Sequence, residues 1–467
     1  MFRFNKKHFS NISARAAATE QKLYDLQQRL HDNTADVIFQ DQMMKAKQSA
    51  FKLAEAERSF CSHLAKMKYL KDSDKVNESF IEFYKNLLSS SSDYSSIDNT
   101  FLMNGKLVDD GQATELMHAI TDKEIKESLF SIGDDKAPGP DGYSAHFFKR
   151  AWNIVGTKFC EAIKEFFSSG QILKQMNYSV IALVPKICNA SKVEEFRPLH
   201  VVMFHIRGME ENIYLVQELL FRYGWSRISP QCIMKIDLWK AYDTINWGFV
   251  KEVLIGLGFP NLFVGWIMQC ISTTSYSISI NGFMHGFFKG YQGIRKGDPF
   301  SPFLFVLCLE CLSRSLNQLK DNQDFKFHPR CKDLNITHLA FADDLILFFR
   351  GDVDSIQLML NKQRTFGDCS RLKISMQKSN IFVAGIPRED LESIKFVSGF
   401  TMGRLPFRYL GLPVMSTKLT LAQFQPFIDR ISGHLNSWAG MKLSYAERCE
   451  LIMSILQVVG LVYSYRG

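Results

Sequence analysis

The 467-residue chain has no hydrophobic run long enough to cross a membrane. A membrane-spanning helix needs about 20 apolar residues in a row, whereas FLFVLCLECL (303–312) is short and contains Glu310. The basic start, MFRFNKKHFS, leads into the polar stretch NISARAAATEQ, so we predict no signal peptide. We therefore expect an intracellular protein, and a nuclear location is compatible with the sequence.

The ten cysteines lack the spacing of a disulfide framework. Cys308 and Cys311 form the single C-x-x-C pair, and no second Cys or His pair follows at the spacing of a zinc site. Two thiols on an apolar helix face explain this pair better than a bound metal. The cysteine usage therefore favours a reducing compartment.

The composition is that of a folded protein, with 46% hydrophobic and 22% charged residues. The length is sufficient for two or three units, each with its own core. A formal net charge of +8 leans mildly towards a polyanionic partner. Many basic proteins bind no nucleic acid, so this charge does not identify the partner.

The first part of the chain is predicted to be a helical, basic region over residues 1–86. Leucines recur at one-face spacing at Leu23, Leu26 and Leu30. The basic end, HLAKMKYLKDSDK, is either a solvated helix face or a contact to phosphates. Residues 87–100 are rich in serine and predict a linker.

Helices and strands then alternate irregularly, which predicts an α+β or α/β fold with a mixed sheet. Thr121 and Glu124 form a capping-box pattern before a helix with apolar positions at Ile125, Leu129 and Ile132. KAPGPDG (136–142) predicts a turn, and the next helix, starting at Ala145, should stop at Gly170. YSVIALVPK (178–186) predicts a strand.

Two adjacent aspartates, Asp343 and Asp344, interrupt the strand-like run HLAFADDLILFF (338–349). Side chains alternate faces along a strand, so at least one carboxylate points toward the packed side. Burial of an unpaired carboxylate is costly. The pair therefore lies either at a hairpin tip in water or beside a positive charge.

A second acidic stretch, CIMKIDLWKAYDTINW (232–247), places Asp237 at the carboxyl end of a short apolar strand. If this strand lies beside the hairpin of Asp343, the two carboxylates converge. Converging carboxylates repel each other unless a divalent cation such as Mg²⁺ neutralises them. A pair of aspartates in a loop is the simpler alternative.

The segment GYQGIRKGDPFSP (290–302) predicts a glycine-rich loop before a long apolar helix. Glycines let the backbone approach a ligand closely, and Arg295 and Lys296 add positive charge. The loop either binds a nucleotide or forms an ordinary tight turn before a buried helix.

In this order the segments resemble the reverse transcriptases of non-LTR (LINE-type) retrotransposons, especially those of plants. The motifs that carry the resemblance are KAPGPDG, EEFRPL, KIDLWKAYDTINW, GIRKGDPFSP, FADDLILF, LKISMQKSN and RYLGLPV. The resemblance implies an α+β, right-hand polymerase fold. It assigns residues 101–177 to a helical extension beside the fingers, 178–415 to fingers and palm, and 416–467 to part of a helical thumb.

The resemblance also implies the catalytic residues. Asp237 and Asp343 would bind the metal, Mg²⁺ or else Mn²⁺, with Asp344 as the third acidic member. Tyr242 would lie under the sugar and exclude ribonucleotides, unless it is a plain core tyrosine. Lys378 would protonate pyrophosphate as a general acid, unless it is a surface lysine.

Further residues would hold the substrates, which the resemblance implies to be an RNA template, a DNA primer and deoxynucleoside triphosphates. Lys186 and Arg197 would bind the triphosphate, and Gly297 would line the nucleotide pocket. The turn at Tyr409, Leu410 and Gly411 would grip the primer.

The sequence departs from the family in two respects. A helix and loop that normally follow the FRP motif are missing before Arg207, and Lys296 replaces a more usual Gln. We therefore predict a retroelement product with an internal deletion and truncated ends. It is either an RNA-directed DNA polymerase or a non-catalytic RNA-binding remnant of one.

Overall fold

A computed structural model describes most of the middle of the chain. The described residues are 73–90, 94–97, 102–134, 143–173, 176–185, 193, 196–198, 209–221, 223, 228–280, 283–296, 298–410, 412–416, 425, 429 and 432. Four predicted features lie outside them: the helix before residue 73, the turn at 136–142, the deletion before Arg207 and nearly all of the thumb.

The described helices are distributed along the whole of this part of the chain. They are α1 (Ser73–Ser89), α2 (Asp110–Leu116), α3 (Asp122–Ser131), α4 (Ala145–Arg150), α5 (Trp152–Ser169), α6 (Met209–Leu220), α7 (Ala241–Thr244), α8 (Trp247–Gly256), α9 (Asn261–Ser272), α10 (Ser301–Asn317), α11 (Val353–Ser370) and α12 (Arg388–Ser398). None of these described helices is long and apolar enough to cross a membrane.

The strands form two larger sheets and a small hairpin. They are β1 (Tyr178–Pro185), β2 (Phe196–Pro198), β3 (Gln231–Asp237), β4 (Ser275–Ile280), β5 (Phe283–Lys289), β6 (His338–Phe341), β7 (Asp344–Phe349), β8 (Asn380–Ala384), β9 (Thr401–Met402), β10 (Phe407–Tyr409) and β11 (Leu412–Val414). One sheet has the order β6-β7-β3-β8-β9, the other β2-β1-β4-β5, and β10 pairs with β11. Only the β8–β9 pair of the five-stranded sheet is parallel. The fold is α+β with a mixed sheet, as predicted.

The chain divides into two compact units. The smaller unit comprises residues 1–86, 180–199 and 276–287, and the larger one comprises the rest. In the smaller unit, the rings of Phe80 on α1 and Phe196 on β2 meet edge to face, with centroids 5.1 Å apart.

In the larger unit, the five-stranded sheet is buried on both faces. Met234 and Ile236 of β3 join a large cluster with residues of α8, α10 and α11. Ile233 of the same strand joins a second cluster with residues of α6 and β11. Because side chains alternate along a strand, Lys235 and Asp237 stand on the second face, at the end where β3 leaves the core.

The predicted helix boundaries are largely confirmed. Thr121 and Glu124 form both hydrogen bonds of a capping box at the start of α3, and Gly170 ends α5 with φ 65°. Ile132, predicted as an apolar position of this helix, instead caps α3 in an extended conformation and is 43% exposed. The helix predicted from Ala145 is two helices, because Ala151 (φ −88°, ψ 7°) interrupts it.

The serine-rich segment 87–100 is packed where the structure describes it. Helix α1 continues through Ser89, and Ile97 is buried. Glu252 on α8 accepts hydrogen bonds from the Tyr94 hydroxyl, the Ser96 hydroxyl and the Ile97 amide. These described parts of segment 87–100 are therefore packed against the protein.

Candidate active site

The acidic residues meet at one end of the five-stranded sheet. Strands β3 and β7 are antiparallel neighbours, and their register pairs Asp237 with Asp344. Strands β6 and β7 form the predicted hairpin, whose turn consists of Ala342 and Asp343. Ala342 has φ 50°, a conformation that a two-residue hairpin turn demands but that L-residues rarely adopt. The turn places Asp343 next to the paired carboxylates.

Two ammonium groups face these carboxylates. Lys378 Nζ lies 3.6 Å from Asp237 Oδ1, and Lys235 Nζ lies 3.7 Å from Asp344 Oδ1. Burial raises the pKa of Asp344, the Lys235 ammonium opposes this, and the charges of Asp343 and Asp237 add to the increase. The three carboxylates are thus close enough to influence one another's charge.

The backbone around Asp237 is fixed by the segment that precedes β8. The Asp237 amide donates to the Ser379 hydroxyl at 3.0 Å, and its carbonyl accepts from the Ser375 amide at 2.8 Å. An isolated bridge joins Leu238 to Ile374. The same segment carries Lys378, so these contacts hold the carboxylate and the ammonium group in register.

Tyr242 lies on α7, directly after the strand that ends at Asp237. Its ring stacks on Phe305 of α10, with centroids 4.6 Å apart and planes 22° apart. Burial raises the pKa of Tyr242 to about 12, and the charge of Asp343 contributes. The Tyr242 side chain is partly exposed.

The glycine-rich loop packs against α7, the short helix that carries Tyr242 and Asp243. Gly293 has φ 83°, and a Cβ there would lie 2.7 Å from the Asp243 carbonyl oxygen. The Ile294 amide donates to the Tyr242 carbonyl at 2.7 Å. Lys296 Nζ lies 2.6 Å from Asp243 Oδ2. The loop is therefore joined to the segment that carries Tyr242.

The hairpin of β10 and β11 adjoins the carboxylates through Lys235, whose Nζ donates to the Arg408 carbonyl at 2.9 Å. Tyr409 is fully buried, and its hydroxyl finds no hydrogen-bond partner in the described part of the chain. Burial and the charge of Asp344 raise the pKa of Tyr409. Leu410 begins the turn with φ 49°.

The structure does not place every predicted residue. Lys186, Gly297 and Gly411 lie outside the described residues, and Arg197 is described only by its backbone, which pairs with Val184. The roles predicted for these residues stay predictions.

Sequence reasoning missed three contacts of the site. Lys235 precedes Asp237 by two residues in a strand, and alternation alone could have placed both on one face. The contact of Ser379 with Asp237 and the pairing of Lys296 with Asp243 join distant segments. Local sequence patterns do not predict contacts between segments that are far apart in the sequence.

The donor set at the sheet end consists of anionic oxygens, which suit a hard divalent cation. Among the residues that the structure describes, however, no group of three or more His, Cys, Asp or Glu side chains is arranged to hold a metal ion. The carboxylate oxygens therefore suit Mg²⁺ in their chemistry. In the described structure the positive charges beside them are the ammonium groups of Lys235 and Lys378.

A family model described as reverse transcriptase (RNA-dependent DNA polymerase) matches residues 174–414, just over half of the chain. The chain belongs to the reverse transcriptase family. This range contains both sheets and all three aspartates. The right-hand polymerase fold predicted from the motifs is confirmed.

The curated relatives of this chain include proteins of non-LTR retroelements. A 149 kDa protein of transposon TX1 from Xenopus laevis is 22% identical over 79% of this chain and 30% of its own length. The Pol polyprotein of the type-2 retrotransposable element R2DM from Drosophila melanogaster is 23% identical over 64% of this chain and 30% of its own length. The predicted resemblance to non-LTR reverse transcriptases is confirmed, and the chain spans about 30% of these relatives.

A solved telomerase from Candida tropicalis, in complex with a fragment of telomeric RNA, aligns with 61% of this chain and 41% of its own. The sequence identity is 11% and the TM-score 0.33. A likeness this low supports no conclusion about activity.

Proposed function

We propose that this chain is an RNA-directed DNA polymerase of a non-LTR retroelement, which extends a DNA primer on an RNA template with deoxynucleoside triphosphates. One observation carries the proposal: Asp237 and Asp344 are cross-strand partners beside the hairpin turn that holds Asp343. Three carboxylates at one sheet end suit a reaction on polyphosphates, where bound divalent ions mediate between anionic groups.

In the proposed site, Asp237 and Asp343 would hold Mg²⁺ or Mn²⁺, with Asp344 beside them. The metal, when bound, supplies positive charge to the reacting phosphoryl oxygens. Lys378 is 71% exposed, so its ammonium group can reach a departing pyrophosphate and donate a proton to it. Its 3.6 Å contact with Asp237 keeps it at the reacting end of the sheet.

Other predicted residues would hold the substrates. Tyr242, stacked on Phe305, offers a rigid ring that excludes a 2′-hydroxyl by steric clash. Lys186 and Arg197 would bind the triphosphate, because guanidinium and ammonium groups complement phosphate. Gly297 would line the nucleotide pocket, and the turn at Tyr409, Leu410 and Gly411 would bind the primer end.

Primer extension on poly-rA/oligo-dT with dTTP and Mg²⁺ tests the proposal. Asp343→Asn and Asp237→Asn should each lower the rate at least about 100-fold, since each removes a charge that is needed at the reacting phosphate. Asp324→Asn, at an exposed position outside the site, should leave the rate unchanged. Monodisperse parent protein that extends no primer at any Mg²⁺ concentration would overturn the proposal.

The lysine contacts favour a second candidate, an RNA-binding remnant without turnover, because Lys378 and Lys235 already partly neutralise Asp237 and Asp344. This candidate predicts RNA binding that weakens steeply between about 50 and 200 mM salt. Asp237→Asn would then change the affinity by no more than about twofold, as expected for one partly exposed charge. Fluorescence anisotropy with a labelled RNA measures both the salt dependence and the effect of Asp237→Asn on the affinity. Primer extension by the parent protein would reject this candidate.

A further inference from the structure

The loop at Gly293–Lys296 is attached to the segment after Asp237 by several short contacts. The Gly293 amide donates to the Ile245 carbonyl at 2.8 Å, and the Ile294 amide donates to the Tyr242 carbonyl at 2.7 Å. The Trp247 indole Nε1 donates to the Gly293 carbonyl at 2.6 Å. These bonds fix the backbone on both sides of Asp243.

The side chain of Asp243 closes the same junction. Asp243 is only 9% exposed, and its carboxylate lies 2.6 Å from the ammonium group of Lys296. Removing one partner of a buried ion pair leaves the other charge uncompensated, which is strongly destabilising. The ion pair therefore connects the side chain of Lys296 in the loop to that of Asp243 in α7.

The residue that this junction positions is Tyr242, the immediate neighbour of Asp243. One face of the Tyr242 ring is fixed by the stack on Phe305. The charge of Asp343 adds to the increase in the pKa of the Tyr242 hydroxyl that burial causes. The backbone of Tyr242 is held from the other side by the loop, through its carbonyl oxygen. A shift of the loop would thus move the ring relative to Asp343.

We propose that the Lys296–Asp243 ion pair is a positioning contact that fixes Tyr242 and thereby sets the preference for deoxynucleotides over ribonucleotides. The inference rests on the proposed polymerase function. It makes Lys296 a determinant of sugar selectivity.

The first test compares kcat/KM for dTTP and UTP on poly-rA/oligo-dT. Lys296→Met should lower the dTTP/UTP ratio about tenfold, a difference of about 1.4 kcal/mol between the two substrates. Lys296→Arg should keep the ratio, because it retains the ion pair. Lys395→Met, which breaks an exposed ion pair of the same 2.6 Å length on α12, should also keep it.

An equal loss of activity with both nucleotides in Lys296→Met would overturn the inference, because a merely structural role predicts that result. A ratio in Lys296→Arg as low as in Lys296→Met would overturn it as well. An inactive parent would instead overturn the polymerase function.

The second test does not depend on activity. Hydrogen exchange of the peptide around Gly293 and Ile294 reports whether the loop is attached. Lys296→Met should accelerate exchange of these two amides at least about tenfold relative to the parent, since opening of the loop becomes easier by about 1.4 kcal/mol. Exchange equal to that of the parent would show that the ion pair does not hold the loop, and would overturn the inference even in an inactive chain.

Discussion

At the scale of single residues, the site is organised by the cost of burying charge. Asp344 has a pKa above its ordinary value because burial outweighs the attraction of Lys235. The folded protein therefore binds a proton at Asp344 more readily than the unfolded chain does. The stabilisation that the protonated form provides is complete below about pH 3.8, the ordinary value of the pKa, and is lost as pH rises through the folded-state pKa.

This sign leads to a prediction for Asp344→Asn. In EDTA at pH 7 the substitution should raise the melting temperature, because it removes a buried charge that opposes folding. The gain should shrink as the pH falls from 7 to 3.8, because the parent carboxyl becomes protonated as the pH falls through its raised pKa. Thermal unfolding of both proteins across this range measures it, and a melting temperature lowered at pH 7 would contradict the prediction.

His328 provides a second test of buried charge, away from the carboxylates. It is fully buried and stacks on Tyr223, and its Nδ1 accepts the Arg330 amide at 3.3 Å. Burial, followed by the charge of Arg330, lowers the pKa of His328 from 6.5 to about 4. Protonation in the folded state is therefore unfavourable.

Because the folded-state pKa is depressed, the contribution of His328 to stability is present above pH 6.5 and lost as pH falls toward about 4. The shift corresponds to roughly 3 kcal/mol. His328→Gln should remove about that much of the pH dependence between pH 7 and 4, whatever its effect at pH 7. Urea unfolding at several pH values measures the difference, and parallel profiles of parent and variant would refute it.

At the scale of elements, local patterns were sufficient for the strands and caps but not for their pairing. The apolar run before Asp237 predicted β3, and the turn in FADD predicted the hairpin of β6 and β7. The register that pairs Asp237 with Asp344, leaving Asp343 in the turn, depends on neighbours that are distant in sequence. The interruption at Ala151 between α4 and α5 was not predicted, because the sequence around Ala151 contains no run of residues typical of a turn.

The glycine-rich loop gives the prediction at this scale. Gly293→Ala should destabilise the protein by about 1–3 kcal/mol, because Gly293 has φ 83° and its added Cβ would meet the Asp243 backbone. Gly265 is the matched control: it lies within α9 with nothing within 4 Å of an added Cβ. Gly265→Ala should therefore stabilise by up to about 1 kcal/mol.

Unfolding in urea compares the two alanine variants. A Gly293→Ala protein as stable as the parent would show that the loop tolerates a different backbone. The close approach of the loop to the Tyr242 turn would then be unnecessary for folding.

At the scale of the whole molecule, the larger unit buries its sheet on both faces, and the same sheet delivers the carboxylates to its end. Composition predicted a folded protein, and the ordered motifs predicted the family. Neither predicted that the segment 94–97 would be bound by Glu252 or that two lysines would face the aspartates. These are long-range consequences of packing, which one-dimensional patterns do not contain.

The cysteines give the prediction for the whole fold. All seven cysteines that the structure describes are free thiols. Cys308 and Cys311 lie in the core on α10, as predicted for two thiols on an apolar helix face. Burial raises the pKa of Cys308 and raises that of Cys311 to about 12, and the thiolate is the reactive form. Both thiols should therefore react slowly in the native state.

Brief treatment of the native protein with iodoacetamide should leave the Cys308–Cys311 peptide unlabelled, and labelling should become complete in urea. Cys270 is less buried and should be labelled sooner, which provides an internal control. Labelling of Cys308 as fast as of Cys270 would mean that α10 is not packed in the core as described, and that the sheet end it supports is open.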